Sequence, residues 1–132
     1  MNLPRLLIVD DEMSVRESLK FVFNKGFSLF EANSLESAVA KVKEARPAVV
    51  LLDVLMPRTD GIEVLRQIKA IHPGCEVIML TALSNRQVAA KAIDFGAFDL
   101  VGKPFDFIDL LAKVKSALSK ATLQEKTALP QT

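Results

Sequence analysis

The sequence is short of the residues that thiol and imidazole chemistry needs. It has one cysteine, one histidine, no tryptophan and no tyrosine. A single cysteine excludes an intrachain disulfide, and His72 stands before a Pro-Gly turn, where it is poorly placed to activate a thiolate. We therefore expect Cys75 to be a buried core thiol that opens a strand, and His72 to close a helix at the surface.

The chain also lacks an excess of charge of either sign and a long hydrophobic run. Its 17 basic and 16 acidic residues give a net charge of +1, which gives no indication of a surface that binds nucleic acid or another polyanion. No run approaches the ~18 apolar residues of a membrane span, and the apolar run near the N-terminus is too short for a signal peptide. These absences predict a cytoplasmic protein with no direct contact to nucleic acid or membrane.

Short apolar runs alternate with segments of helical periodicity along the chain. The apolar runs predict five strands, in chain order Leu6–Asp10, Phe27–Glu31, Ala48–Asp53, Glu76–Thr81 and Phe98–Val101. Amphipathic helices follow them, with start signals near Ser14, Asn33, Asp60, Ser84 and Asp106. Strands joined by helix-length crossovers pair in parallel, so we predict an α/β fold, a (βα)5 doubly wound sheet with helices on both faces. Residues 1–120 are expected to form the domain, and 121–132 a frayed tail or the start of a linker.

Polar side chains stand where the predicted strands end. Asp10 and Asp11 follow the first strand, Asp53 ends the third, Thr81 ends the fourth, and Lys103 follows the fifth. Ligands of such sheets bind beyond the carboxyl ends of the strands, so these side chains are expected to converge. Crowded carboxylates need a cation, and hard oxygen ligands suit Mg²⁺. An Asp surrounded by a metal, an ammonium and a hydroxyl can act as a nucleophile toward a phosphoryl group.

Each of these residues has a plainer interpretation when it is taken alone. An acidic pair favours a helix N-terminus, a threonine is an ordinary strand residue, and a lysine is commonly a solvated surface group. The joint pattern favours a site, because the plain interpretation needs four separate coincidences. The apolar run before Asp53 is then expected to bring its carboxylate to the edge of the sheet instead of burying it.

Four motifs, in this order, resemble the receiver domain of two-component response regulators. They are "VDDE" at 9–12, "LLDVLMPRTDG" at 51–61, "LTA" at 80–82 and "KPF" at 103–105, and the similarity covers roughly residues 5–118. The resemblance implies the flavodoxin-like strand order 2-1-3-4-5. It also implies a signalling phosphoacceptor that catalyses only its own phosphorylation and dephosphorylation, and not an enzyme with a separate substrate.

The roles carried over by position all concern one site. Asp53 matches the phosphoacceptor, which takes its phosphoryl group from a histidine kinase or a phosphotransfer protein. The resemblance assigns Mg²⁺ to Asp10, Asp11, Asp53 and the backbone carbonyl of Leu55. Around the phosphoryl group it places Thr81, Ala82 and Lys103, and it implies a cis peptide bond at Pro104.

One position departs from the family's pattern. Leu100 stands where receivers usually carry the Tyr or Phe that changes rotamer together with the threonine. Phe98 lies two residues earlier and is expected to share the strand face of Leu100, as a partial substitute. The resemblance further implies that the fourth helix, fifth strand and fifth helix form a face that binds a downstream effector or a second receiver.

Three other functions are weighed against this one. A phosphatase with an Asp nucleophile is expected to carry a second Asp two residues on, where this chain has Leu55. A flavodoxin-like cofactor binder needs a phosphate-binding loop after the first strand, where this chain has Asp10, Asp11 and Glu12. A degenerate receiver, acting as an interaction module without phosphorylation, is disfavoured by the intact Asp, Thr and Lys set.

Overall fold

The computed structural model describes residues 3–56, 59–81 and 86–128, and these form a five-stranded parallel sheet between two layers of helices. We number the sheet strands in chain order: β1 Arg5–Val9, β2 Ser28–Ala32, β3 Val49–Asp53, β4 Glu76–Thr81 and β5 Asp99–Gly102. Their order is β2-β1-β3-β4-β5, and every neighbouring pair is parallel. The predicted fold and strand order are confirmed.

The loop after β3 contains a separate antiparallel ladder of two short strands, Leu55–Met56 and Thr59–Asp60, which stay outside this numbering. Five helices complete the fold: α1 Met13–Phe23, α2 Leu35–Ala45, α3 Gly61–Ile71, α4 Arg86–Asp94 and α5 Phe107–Ala128. No helix in the described part of the chain is both long enough and apolar enough to cross a bilayer.

Two hydrophobic clusters lie on opposite faces of the sheet. The α2–α3–α4 cluster joins Leu7 and Val9 of β1 to buried residues of those three helices. The α1–α5 cluster joins Leu6 and Ile8 of β1 to buried residues of the two remaining helices. Successive side chains of a strand point to opposite faces, so an interior strand must be apolar throughout. The central β3 meets this demand, since all five of its residues are buried, whereas β2 is largely half-buried, as expected of an edge strand.

Local sequence signals set most of the helix starts. Asp60 caps α3 by accepting from the backbone N–H of Ile62 at 2.9 Å. Asp106 does the same for α5, accepting from Ile108 N at 3.0 Å. These two predicted caps are confirmed. The capping box of α2 is formed by Ser34 and Ser37, one residue later than predicted.

The helix start predicted from a capping signal at Ser14 is wrong. Helix α1 begins at Met13 after Glu12, which makes no side-chain capping hydrogen bond. Ser14 therefore lies inside the helix, where its carbonyl accepts from the hydroxyl of Ser18 at 3.0 Å. The corresponding signal for α4, at Ser84, lies outside the described residues.

Helix α5 continues beyond the predicted domain boundary at 120 and reaches Ala128. Its inward face includes Val114, Ala117 and Ala121, all buried, so small residues carry the packing where the apolar periodicity becomes hard to see. Phe107, the first residue of the helix, is exposed. The division into a domain and a linker stays a prediction.

The single cysteine and the single histidine both have structural roles. Cys75 is fully buried directly before β4, and its burial raises the pKa of the thiol to about 12. This confirms the core thiol. His72 closes α3 by donating its backbone N–H to Ile68 O at 2.9 Å, although it is half-buried and not fully at the surface.

Candidate functional site

Three carboxylates meet at the carboxyl edge of the sheet. Asp10 follows β1 directly and Asp53 is the last residue of the neighbouring β3. One ligand oxygen of each, together with one from Asp11, lies within 4.8 Å of the other two. The topology alone brings the first two together, since parallel neighbours end at the same edge.

Burial distinguishes these three carboxylates. Asp10 and Asp53 are 0% and 3% exposed, whereas Asp11 is exposed. The expectation that β3 would bring Asp53 to the edge without burying it is wrong in its second half. Because this carboxylate is almost inaccessible to solvent, its charge must be stabilised by nearby groups and not by bulk water.

Asp10 is held by several contacts. Its backbone N–H donates to Ala32 O at 3.1 Å, which extends the β1–β2 pairing by one step. Its Oδ1 accepts from the backbone N–H of Glu12 at 2.9 Å. Its Oδ2 is buried and has no hydrogen-bond partner among the described residues. This oxygen can therefore contribute to the binding of a cation.

The segment after β5 supplies a lysine ammonium to the same site. Lys103 Nζ lies 3.4 Å from Asp53 Oδ1 and 3.5 Å from Asp10 Oδ2. The backbone N–H of Lys103 donates to Thr81 O at 2.8 Å, and the bond from Lys103 to Pro104 is cis. This loop is thus hydrogen-bonded to the end of β4, and one ammonium faces two buried carboxylates.

The remaining predicted site residues lie near this edge or outside the described residues. Thr81 is the last residue of β4 and is partly exposed. Leu55 pairs with Asp60 in the short ladder that follows Asp53. Ala82 lies outside the described residues.

The donor set of this edge fits a hard divalent cation. It offers carboxylate oxygens from three residues, and one of these oxygens is buried and lacks a hydrogen bond. Among the described residues, a single ammonium lies within ion-pair distance of the two buried carboxylates, which leaves an excess of negative charge. Mg²⁺ prefers such oxygen ligands and commonly keeps further positions for water or phosphate.

Comparison with known proteins identifies the family to which this chain belongs. The sequence model for the response regulator receiver domain matches residues 6–115, which is most of the chain. The chain belongs to the response regulator receiver family.

The relatives of this receiver are longer proteins. Response regulator MprA of Mycolicibacterium vanbaalenii is 38% identical over 120 residues, which are 89% of this chain and 52% of that protein. Regulatory protein AtoC of Escherichia coli is 37% identical over 123 residues, which are 92% of this chain and 27% of that protein. The chain spans about half the length of the MprA relatives it matches.

Solved receiver structures superpose closely on this one. The receiver domain of NtrX from Brucella abortus has a TM-score of 0.81 and 32% identity, and the match covers 86% of this chain and 98% of that one. A CheY-like receiver domain protein from Methanospirillum hungatei has a TM-score of 0.88 and 27% identity, with 93% and 99% of the two chains covered. The whole fold is therefore that of a receiver.

Two residues beside the receiver's acidic cluster escaped the sequence analysis. Arg16 of α1 is only 8% exposed; its Nη1 donates to Asp10 O at 2.7 Å and its Nε to Glu31 Oε1 at 2.8 Å. The signal was present, because Arg16 lies three and seven residues before the buried Leu19 and Phe23 of the same helix face. A charged residue on the inward face of a helix needs a partner.

Glu31, the partner of Arg16, is also bound by a second cation. Its Oε2 accepts from Lys20 Nζ at 2.7 Å. The hydrogen bonds from Lys20 and from Arg16 hold the pKa of Glu31 below its ordinary value. Hydrogen bonds to Glu17 and Glu31 raise the pKa of Lys20 in turn. The network keeps Glu31 ionised and fixes it against α1.

Phe98 does not share the strand face of Leu100, so that prediction is wrong. Leu100 packs against the α2–α3–α4 cluster, whereas Phe98 packs against the α1–α5 cluster on the other side of the sheet. Strand β5 begins at Asp99, after Phe98, and the alternation of side chains holds only within a strand. Phe98 cannot replace the aromatic ring that receivers usually carry at the position of Leu100.

Proposed function

We propose that this receiver accepts a phosphoryl group on Asp53 from a histidine kinase or a phosphotransfer protein, in a reaction that depends on Mg²⁺. The observation that carries the proposal is a buried carboxylate at a strand end, with a lysine ammonium 3.4 Å away and two further carboxylates around it. The protein is then a signalling phosphoacceptor, acting in the cytoplasm, and its only catalysis is its own phosphorylation and dephosphorylation.

The residues of the proposed site have different roles in metal binding and phosphoryl transfer. Asp10, Asp11, Asp53 and the backbone carbonyl of Leu55 would hold Mg²⁺, which when bound offsets the charge of phosphoryl oxygens. Asp53 contributes the attacking oxygen, so a P–O bond forms there as the P–N bond of a phosphohistidine breaks. Lys103 pairs with the carboxylates beforehand and is placed to pair with a phosphoryl oxygen afterwards.

The proposed switch begins at the loop that Thr81 and Lys103 share. Phosphorylation adds close to two negative charges at this edge. The hydroxyl of Thr81 and the ammonium of Lys103 are drawn to them, and the small Ala82 leaves room for the group. The backbone hydrogen bond from Lys103 to Thr81 supports joint movement of β4 and the segment before α5. Leu100 then responds by packing alone, without the rotamer change of an aromatic ring.

The proposed output surface is the face made by α4, β5 and α5. At this face Lys113 lies 3.6 Å from Asp99 and 3.3 Å from Asp109, measured from Nζ to carboxylate oxygens. These ion pairs are within one chain and partly exposed to solvent, so they can exchange partners at little cost. The occupant is a downstream effector or a second receiver. The greater length of the relatives supports an effector.

Phosphorylation from a small-molecule donor tests the central assignment. The protein is incubated with acetyl phosphate, with Mg²⁺ or with EDTA, and its intact mass is measured. We expect a gain of one phosphoryl group only with Mg²⁺, and none in Asp53→Asn. Asp99→Asn is the matched control, since it removes a half-exposed carboxylate outside the acidic cluster and is expected to be modified like the wild type. No gain in wild type would favour the phosphorylation-independent interaction module.

A further inference from the structure

Arg16 is a buried cation that the proposed phosphotransfer does not use. It comes from the second turn of α1 and reaches the loop between β1 and α1. There its Nη1 donates to the backbone carbonyl of Asp10 at 2.7 Å, in a buried hydrogen bond. An Arg guanidinium presents several donors in a rigid plane, so one side chain can hold two acceptors in a fixed relation.

Three of the four polar atoms of Asp10 are hydrogen-bonded outside the acidic cluster, and the fourth, Oδ2, faces the cluster. Its N–H is bound by Ala32, its carbonyl by Arg16, and its Oδ1 by the N–H of Glu12. With backbone and first oxygen fixed, the second oxygen faces Lys103 at 3.5 Å and has no hydrogen bond among the residues described. The direction of this oxygen therefore depends on how firmly the backbone of Asp10 is held.

The other end of Arg16 is anchored to β2. Glu31 accepts from Arg16 Nε at 2.8 Å and is itself held by Lys20 at 2.7 Å. Glu31 directly precedes Ala32, whose carbonyl accepts from the N–H of Asp10. Two neighbouring residues of one edge strand thus fix Asp10, one directly and one through Arg16.

A groove of about 220 Å³ lies beside these contacts and is lined by Arg16, Glu31, Ala32, Asn33 and Ser37. Because this space is open, a shorter or uncharged side chain at position 16 gains no new protein neighbour in place of its two acceptors. The Asp10 carbonyl would then be solvated and its backbone released.

We propose that Arg16 is a positioning residue of the acidic cluster. By bridging the Asp10 carbonyl to Glu31, it fixes the direction of the Asp10 carboxylate and thereby sets the affinity for Mg²⁺. This inference rests on the proposed function, because it takes the cluster to be a Mg²⁺ site. Groups that orient metal ligands commonly change metal affinity 10–100-fold when they are removed.

Metal affinity measured apart from phosphorylation tests this role. Mg²⁺ binding is followed by calorimetry, and Mn²⁺ binding by electron paramagnetic resonance, since the absence of Trp and Tyr removes the usual fluorescence signals. We expect Arg16→Met to weaken Mg²⁺ binding about tenfold or more. Glu31→Gln, which keeps the shape of the anchor, should weaken it less. Arg66→Met, which breaks an exposed pair with Glu63, should leave it unchanged.

A second measurement separates positioning from a merely structural role. If Arg16 acts through Asp10, then Arg16→Met causes little further loss of Mg²⁺ affinity once Asp10→Asn is present. Unchanged affinity in Arg16→Met and Glu31→Gln would overturn the positioning role, whatever their stability to urea. Should Arg16→Met fail to fold, Glu31→Gln decides by the same criterion. A wild type that binds no Mg²⁺ would instead overturn the proposed function together with this inference.

Discussion

Replacing Asp53 with asparagine is expected to stabilise the metal-free protein, although it removes the proposed phosphoacceptor. The carboxylate is 3% exposed, and the charged groups close to it among the described residues are those of Asp10, Asp11 and Lys103. Asparagine has nearly the same shape and keeps one acceptor oxygen, so the substitution changes the charge and little else. The prediction therefore isolates the electrostatic cost of the site.

The magnitude follows from the distances. At an effective dielectric constant of about 20, like charges 4.8 Å apart repel by about 3.5 kcal/mol, and Asp53 has two carboxylate neighbours no farther away than this. Its attraction to Lys103 at 3.4 Å is worth about 5 kcal/mol on the same scale. Before screening, repulsion therefore exceeds attraction by at least about 2 kcal/mol, and the exposure of Asp11 screens part of this. We expect Asp53→Asn to add about 1–2 kcal/mol of stability, or about 3–8 °C in Tm.

Urea and thermal unfolding, followed by far-ultraviolet circular dichroism in EDTA, measure this gain. Saturating Mg²⁺ should narrow or reverse the difference, because a cation that binds the folded wild type more tightly stabilises it more. Asp109→Asn is the control, since it removes an exposed carboxylate 3.3 Å from Lys113 and is expected to cost less than about 1 kcal/mol. If metal-free Asp53→Asn is less stable than the wild type, the reasoning about crowded charge is refuted.

Three further changes test other parts of the structure. Gly61→Ala places a Cβ 2.9 Å from backbone atoms of the loop after β3, and we expect a loss of about 1–3 kcal/mol in urea unfolding. Gly26→Ala meets nothing within 4 Å and should change less than about 0.5 kcal/mol; equal losses would contradict the steric argument. Lys120→Met leaves the buried carboxylate of Glu76 without the ammonium 3.6 Å away, and since the lysine is half-exposed we expect a cost of about 1–2 kcal/mol. Adding Glu76→Gln should recover most of it, whereas additive losses would exclude the pairing. The pKa of Glu31 is lowered by the ammonium and guanidinium bound to it, so its contribution to stability is full above the unfolded value of 4.5 and disappears as pH falls through the lowered pKa. Glu31→Gln should flatten the acid limb of a stability–pH curve, and an unchanged limb would refute this.

The receiver fold was predictable because its signals are local and repeated. Apolar runs such as Val49–Asp53 are readable as interior strands, and Asp60 and Asp106 cap helices by contacts within three residues. Parallel strands end at a common edge, so the convergence of Asp10 and Asp53 followed from the order of elements alone.

Some errors arose where a periodic rule was carried past the end of its element. Phe98 was predicted to share a face with Leu100 because strand side chains alternate with a period of two. Strand β5 begins only after Phe98, however, and the two side chains pack on opposite faces of the sheet. Element boundaries depend on backbone hydrogen bonds that no residue pattern specifies to a single position.

The sequence by itself determined the α/β class, the central strand and the set of polar residues at the carboxyl edge, because burial patterns and strand ends are properties of short segments. Only the tertiary structure decided that Asp53 is buried, that Lys103 stands between two carboxylates, and that Arg16 holds the Asp10 carbonyl against Glu31. These are contacts between residues far apart in the chain, and their distances depend on how helices and loops pack on the sheet. A charged residue on a buried face indicates that a partner is needed, but only the fold determines which residue is that partner.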